Sequence, residues 1–276
     1  MMSKMDRNRR KALVLDIDGT LTTTKKEITD RTRAKIWQVL DAGHRVVLAS
    51  GRPTPGMARY AKELELKERG GYLLSFNGAR VVDCTSGDVV FQLKLPTEIP
   101  AELYAFAKAN GMGLITYRDN EIISAFEPDE YVLWEAKINN LPVKKVEDFA
   151  SYVDFPVNKC LLTAPDEQAA RMEQILAERY GDRLSIYRSE PFFLEVMPQG
   201  VDKASSLDKM LDALDVERRN TICCGDGYND ISMIRYAGLG VAMGNARQAV
   251  RDAADYITGT NDEDGLVEVM DKYIIA

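Results

Sequence analysis

Short apolar runs alternate with stretches of helical spacing at both ends of this chain. Ala12, Leu13, Val14 and Leu15 follow Lys11 without interruption and stop at Asp16. The run is too short for a helix and Gly19 bounds it, so it predicts a buried strand of a parallel sheet. Ile36, Val39 and Leu40 give residues 29–42 a helical spacing, closed by Gly43. Residues 45–49 predict a second buried strand, 54–66 a helix and 72–76 a third strand ending in Asn77-Gly78. This β-α-β-α order implies a parallel sheet with right-handed crossovers. The alternation returns after Gly200. Helices are predicted over 201–214, 231–237, 246–253 and 265–273, and strands over 220–224, 240–243 and 256–257.

Between these ends the strict alternation breaks down. Thr85-Ser86-Gly87-Asp88 is a turn between β-rich runs at 79–83 and 89–95. Helices are predicted at 98–110, 129–139 and 166–180, and strands at 113–117, 121–126, 158–163, 184–187 and 192–196. The fold class is therefore α/β, a Rossmann-like parallel-sheet core with an inserted α+β domain. The expected boundaries are 1–83 for the first part of the core, 84–190 for the insert and 191–276 for the second part.

Composition narrows the function. Hydrophobic residues make up 45% of the 276, enough for a sizeable core. The net charge of -7 argues against a general nucleic-acid binder, which needs a basic face. It suits a protein that admits small anions through a local positive site. The basic start (Lys4, Arg7, Arg9, Arg10, Lys11) is followed by an apolar run too short for a signal peptide, and no stretch is long enough to span a membrane. With no secretion signal and no Cys-x-x-Cys spacing among Cys84, Cys160, Cys223 and Cys224, a reducing cytoplasm is expected, with Cys223 and Cys224 as buried thiols. The single histidine, His44, falls at the wrong end of its strand for a site at the strand ends and reads as structural. Serine- or cysteine-histidine mechanisms and zinc hydrolase chemistry are accordingly disfavoured.

Four polar clusters stand at strand ends or helix starts: Asp16/Asp18, Ser50/Gly51/Arg52, Lys203 and Asp226/Asn229/Asp230. Open α/β sheets place ligands at such ends. Asp16 and Asp18, two apart on nearly extended backbone, lie on one side. They repel, and either a divalent cation or a shared proton must stabilise the pair. Each cluster also has a plain structural reading. Asp18-Gly19 and Asp226-Gly227 make ordinary turns, Lys203 makes a solvated helix residue, and Asp230 a helix-start charge. Four such clusters in compatible topological positions favour a site.

Asp16-Ile17-Asp18-Gly19-Thr20-Leu21, Ser50-Gly51-Arg52-Pro53, Lys203 and Gly225-Asp226-Gly227-Tyr228-Asn229-Asp230, in this order, resemble the four motifs of the haloacid dehalogenase-like phosphohydrolases. The long insert and the closing Asn261-Asp262-Glu263-Asp264-Gly265 are similar to the Cof-type subfamily. The resemblance implies a magnesium-dependent phosphatase of small phosphorylated metabolites, sugar phosphates first, working through an aspartyl-phosphate. It implies Asp16 as nucleophile, and Asp18 as general acid and base. It implies Asp16, Asp226 and the backbone carbonyl of Asp18 as the Mg2+ ligands. Asn229 and Asp230 orient ligands or hold waters. Ser50, Gly51 and Lys203 meet phosphate, and Lys203 also screens Asp16. These roles suit phosphoryl transfer, which needs an in-line nucleophile and positive charge around the equatorial oxygens. Arg52 either serves the phosphate or pairs with an acidic neighbour.

The insert is expected to act as a lid carrying substrate contacts, with Arg118, Glu127, Lys159 and Arg188 as polar candidates. A monomer or weak homo-oligomer is expected. Two rival readings share part of the pattern. A phosphomutase also uses the Asp16/Asp18 pair. A phospho-aspartate signalling module clusters aspartates with a lysine, but it lacks the Asp-x-Asp on one strand and the long insert.

Overall fold

The computed structural model describes residues 9–275. The basic start at 1–8 lies outside the described residues. The chain divides into two compact units, one formed by residues up to 91 together with those from 202 onward, the other by residues 92–201.

Strands of the first unit open the chain: β1 (Ala12–Leu15), β2 (Arg45–Ala49), β3 (Tyr72–Ser75), β4 (Arg80–Asp83) and β5 (Val89–Gln92). The inserted unit contributes β6 (Gly113–Arg118), β7 (Glu121–Ser124), β8 (Val143–Lys145), β9 (Cys160–Thr163), β10 (Leu184–Glu190) and β11 (Phe193–Pro198). The chain then returns to the first unit with β12 (Thr221–Gly225), β13 (Leu239–Ala242) and β14 (Tyr256–Ile257).

The first unit holds an eight-stranded sheet in the order β14-β13-β12-β1-β2-β3-β4-β5. It is parallel from β14 to β3, and β4 runs antiparallel to β3. Alternation along β1 sends Leu13 and Leu15 into one hydrophobic cluster and Ala12 and Val14 into another. Both faces of the strand are covered, which explains why its sequence is apolar without a break. From β1 the chain builds outward to β3 on one side, and later from β12 to β14 on the other. The switch point therefore falls between β1 and β12, where such sheets bind ligands.

Two helices of this unit have well-formed starts. Asp30–Asp41 is capped by Thr29, whose hydroxyl accepts from the Thr32 N–H. Lys203–Leu214 is capped by Asp202, which accepts from the Ala204 and Ser205 N–H groups. The helix predicted over 54–66 is broken. A 3-10 turn at Thr54–Met57 contains Pro55 and Gly56, and Ala58–Glu63 gives way to Glu65 in the left-handed region. Only Gln248–Arg251 of the stretch 246–253 is helical. His44 is buried and accepts the Lys11 N–H at 3.1 Å, the structural role expected of it.

The second unit carries a six-stranded sheet in the order β10-β11-β9-β6-β7-β8, antiparallel apart from the β7–β8 pair. Helices Ile99–Asn110, Phe149–Tyr152 and Asp166–Tyr180 share a hydrophobic cluster with one sheet face through Leu103, Phe149, Leu176, Leu114, Leu162 and Val196. β8 and the Phe149–Tyr152 turn were not predicted from the pattern.

The observed boundaries fall later than 83/84 and 190/191. The turn 85–88 returns the chain as β5, which extends the core sheet beyond β4. At the other end, β10 and β11 pair from Leu184 to Pro198, so the hairpin stays with the insert's sheet.

Candidate active site

The site is built on the first unit, where β1, β2 and β12 end. A cavity of about 180 Å³ there is lined by Asp16, Asp18, Ser50, Gly51, Arg52, Asp226, Gly227, Asn229 and Asp230. Every residue singled out for the site lines it except Lys203, which lies buried within hydrogen-bonding distance of Asp16 and Asp230.

Asp16 follows β1 directly, and its N–H continues the ladder to the Cys224 carbonyl at 3.0 Å. The chain then turns sharply, with Leu21 N–H donating to Asp16 O and Thr22 N–H to Ile17 O. Gly19 makes the turn at φ +90°, and a Cβ there would stand 2.4 Å from Asp226 Oδ2. Absence of a side chain is thus what lets the β12 aspartate approach the β1 loop. Thr20 Oγ1 donates to Asp226 Oδ1 at 2.9 Å from the same loop. Asp230 folds back at the start of its helix, accepting the Asp226 and Gly227 N–H groups on Oδ2 at 3.0 and 2.9 Å.

Lys203 ties these parts together from below. Its Nζ donates to Asp16 Oδ1 at 2.7 Å, Asp230 Oδ1 at 2.6 Å and the Ala49 carbonyl at 2.8 Å. An ammonium has three protons, and all three are committed to protein acceptors. A direct phosphate contact from Lys203 therefore requires one of these bonds to be exchanged, whereas its screening of Asp16 is already in place.

The charge balance is uneven. Carboxylate oxygens of Asp16, Asp226 and Asp230 lie within 4.8 Å of one another. Among the described residues, only Lys203 forms an ion pair with them, through Asp16 and Asp230. Burial and the Asp230 charge push Asp16 well above the ordinary carboxylate range, with Lys203 offsetting part of the shift. Burial likewise raises Asp226 to about 6, despite the Thr20 hydrogen bond. Burial opposes the Lys203 charge too, but Asp16 and Asp230 outweigh it and hold the ammonium above its usual value. Asp18 behaves differently. Burial would raise it, yet Arg52 and Lys26 bring it down to about 2. Arg52 grips the carboxylate with Nε and Nη2 at 2.7 and 2.9 Å, and Lys26 Nζ adds a third bond at 2.9 Å. Of the two readings of Arg52, pairing with an acidic neighbour is the one seen here.

Ser50 is buried with its hydroxyl accepting the Arg52 N–H at 3.2 Å, and Gly51 beside it lines the cavity. Asn229 Nδ2 donates to Asn77 Oδ1 at 3.0 Å. Lys26, Thr20 and Asn77 carried no assigned role in the sequence. Thr20 lies inside the first motif and Asn77 ends a predicted strand, so both had a positional signal. Lys26, one of two adjacent lysines in a polar turn, had none. In the inserted unit the four polar candidates have protein partners. Lys159 is buried against Glu195 at 3.2 Å, Arg188 is held by Asp166 and Glu173, Glu127 pairs with Lys145, and the Arg118 guanidinium lies over Phe155.

The donor set suits a hard divalent cation. Three carboxylates converge, burial first and neighbouring negative charge second raise Asp16 and Asp226 above the ordinary carboxylate range, and no histidine or thiolate is among them.

The family profile of the haloacid dehalogenase-like hydrolases matches residues 13–270. A crystal structure of a haloacid dehalogenase-like hydrolase from Bacteroides thetaiotaomicron superposes with a TM-score of 0.91 at 43% identity, over 95% of this chain and 99% of that one. The HAD subclass IIB sugar phosphatase BT4131 superposes with a TM-score of 0.80 at 27% identity, over 96% and 100% of the two chains. Among curated proteins, the Bacillus subtilis 5-amino-6-(5-phospho-D-ribitylamino)uracil phosphatase YitU is 29% identical over 95% of this chain and 96% of its own. Motifs, fold and these relatives agree: the chain belongs to the haloacid dehalogenase-like hydrolases, as a Cof-type phosphohydrolase.

Proposed function

We propose that this protein is a magnesium-dependent phosphatase that hydrolyses small phosphorylated metabolites, sugar phosphates in the first place, through an aspartyl-phosphate on Asp16. The observation that carries the reading is the convergence of Asp16, Asp226 and Asp230 over a buried Lys203, with Asp18 held apart by two cations. Two relatives support the substrate class, one titled a sugar phosphatase and one named for a phosphorylated ribityl compound.

Asp16 serves as the nucleophile: Lys203 fixes its Oδ1, and the residue lines the cavity. Its attack on phosphorus forms the acyl-phosphate bond as the bond to the leaving alkoxide breaks. Ser50 and the Gly51 N–H provide donors to the phosphoryl oxygens. Water then attacks phosphorus, phosphate departs, and the Asp16 carboxylate is regenerated. Asp18 in its observed contacts is a carboxylate, suited to take the proton from that water. Protonating the leaving alkoxide in the first step requires Asp18 first to give up its bonds to Arg52 and Lys26. Magnesium would be held by Asp16, Asp226 and the Asp18 carbonyl, where its charge lowers the repulsion between carboxylates and substrate phosphate. Asn229 and Asp230 would orient that set.

The test is a screen of phosphorylated metabolites with Mg2+, measuring free phosphate. Release of phosphate from sugar phosphates that is lost in Asp16→Asn is the expected outcome. Transfer of the phosphoryl group between sugar positions without net release would identify a mutase and end the proposal.

A further inference from the structure

The closing motif Asn261-Asp262-Glu263-Asp264-Gly265 has no part in the chemistry above, yet it grips the loop that carries both catalytic aspartates. Asn261 is nine-tenths buried, and its Nδ2 donates to the Thr22 carbonyl at 2.8 Å. Thr22, fully buried, passes this restraint on. Its N–H and its hydroxyl both donate to the Ile17 carbonyl at 2.9 Å. Ile17 is the residue between Asp16 and Asp18. Two hydrogen-bonded steps therefore connect residue 261 to the peptide that joins the nucleophile to the acid-base residue.

A second connection runs in parallel. The Asn261 N–H donates to Asn245 Oδ1 at 3.0 Å, and Asn245 Nδ2 donates to the Gly19 carbonyl at 2.8 Å. Farther along the same loop, Asp262 accepts the Thr24 N–H at 2.9 Å, and Asp264 accepts the Thr29 and Thr32 hydroxyls. The gripping segment is itself well braced. Thr258 Oγ1 donates to the Gly265 carbonyl at 2.7 Å, and a Cβ on Gly265 would stand 2.2 Å from the Gly259 carbonyl oxygen. The loop thus leans on a close-packed turn.

We infer that Asn261 is a positioning residue, acting through Thr22 to fix the Asp16-Ile17-Asp18 backbone for phosphoryl transfer. The inference rests on the phosphatase reading of Asp16 and Asp18. Displacing reacting groups by about 1 Å costs on the order of 100-fold in rate, so a restraint this close to both carboxylates acts on turnover rather than on substrate capture.

Asn261→Asp tests it. The change is isosteric, keeps the backbone bond to Asn245 and removes the donor to Thr22. At saturating Mg2+, kcat should fall roughly 10- to 100-fold, with KM within about threefold of the parent. Thr22→Val, which removes only the hydroxyl bond to Ile17, should lower kcat by a smaller factor. The double variant should lose less than the product of the two losses, because both act through one carbonyl. Activities are referred to the folded fraction measured by thermal unfolding. A purely structural role would lower Tm and leave kcat per folded molecule within twofold of the parent, and that result overturns the inference. Should Asn261→Asp not fold, an unchanged kcat in Thr22→Val overturns it equally. Asp16→Asn, run alongside, separates the two levels. Turnover surviving in that variant removes the site reading itself, whereas an inactive Asp16→Asn beside a normal Asn261→Asp removes only this inference.

Discussion

Replacing Lys203 by methionine is the sharpest test of the site's electrostatics. The side chain is fully buried and its three protons go to Asp16, Asp230 and the Ala49 carbonyl. Methionine approximates the volume of the aliphatic stem but leaves two carboxylates and a carbonyl without their shared donor. Removing one partner of a buried ion pair costs about 3–5 kcal/mol, because the remaining charge stays desolvated and unpaired. At about 2–4 °C per kcal/mol for chains near this length, the expected loss is roughly 6–20 °C in the melting of the core unit. Trp37 lies in the core unit and Trp134 in the insert, and Trp134 is about half exposed, so a Trp134→Phe background leaves one emission reporter for the core. Urea unfolding of the metal-free protein at pH 7 in chelator gives the number directly. The loss should shrink as pH falls, since Asp16, which burial pushes above the ordinary carboxylate range, then takes up a proton and its unpaired charge disappears. Adding Asp230→Asn to Lys203→Met should recover much of the stability, while phosphatase activity stays absent in both. A Lys203→Met core within about 1 kcal/mol of the parent at pH 7 would refute the view that this ammonium holds the carboxylates together.

Chelation should abolish turnover, Mg2+ should restore it, and Ca2+ should restore less, because its looser and larger coordination shell misplaces in-line geometry; full activity in excess chelator would contradict the metal assignment. Gly19→Ala should lower kcat at least tenfold and cost roughly 1–3 kcal/mol, because the backbone at φ +90° is strained for alanine and the new Cβ would overlap Asp226 Oδ2; a crystal structure with Asp226 undisplaced and normal turnover would count against it. The metal-free protein should lose stability as pH rises from about 4 to about 6. Asp226 binds its proton more tightly folded than unfolded in that window, so the unfolded chain releases it first, and the loss reaches at most about 3 kcal/mol. Saturating Mg2+ should flatten this slope, and a metal-free stability that climbs across the window would show the sign to be wrong. Asp18→Asn with p-nitrophenyl phosphate should give a burst of nitrophenol equal to the enzyme, then a steady rate slowed roughly 10²–10⁴-fold. Acid quenching should trap phosphate on the Asp16 peptide, and the absence of both burst and trapped phosphate would remove the two-step scheme.

Much of this fold is legible from periodicity, because β1, β2 and β12 are buried on both faces and so write unbroken apolar runs. The boundaries of the insert are less legible for a related reason. Residues 79–95 read as a hairpin, but Val89 and Val90 are exposed, and no pattern in them says which sheet edge the returning strand joins. Lys203 illustrates a different limit. A lysine in the first turn of an amphipathic helix looks solvated by spacing alone. Only the approach of two loops from β1 and β12, each permitted by a glycine at a close contact, buries it.

The motif resemblance gives the four aspartates different roles, but charge and spacing alone do not show the physical reason. As a sum of charges they are equivalent, four acids near one lysine. In space they separate into two populations. Asp16, Asp226 and Asp230 share a single ammonium, and Asp16 and Asp226 are pushed upward. Asp18 is claimed by Arg52 and by Lys26, which reaches it from a turn eight residues on, and is pushed down to about 2. Titratable groups driven apart in this way mark distinct chemical assignments. The set short of positive charge is the one that calls for a cation, and only with that cation would a substrate phosphate be tolerated nearby. The carboxylate with charge to spare is free of that demand, which supports the proposed proton-handling role of Asp18.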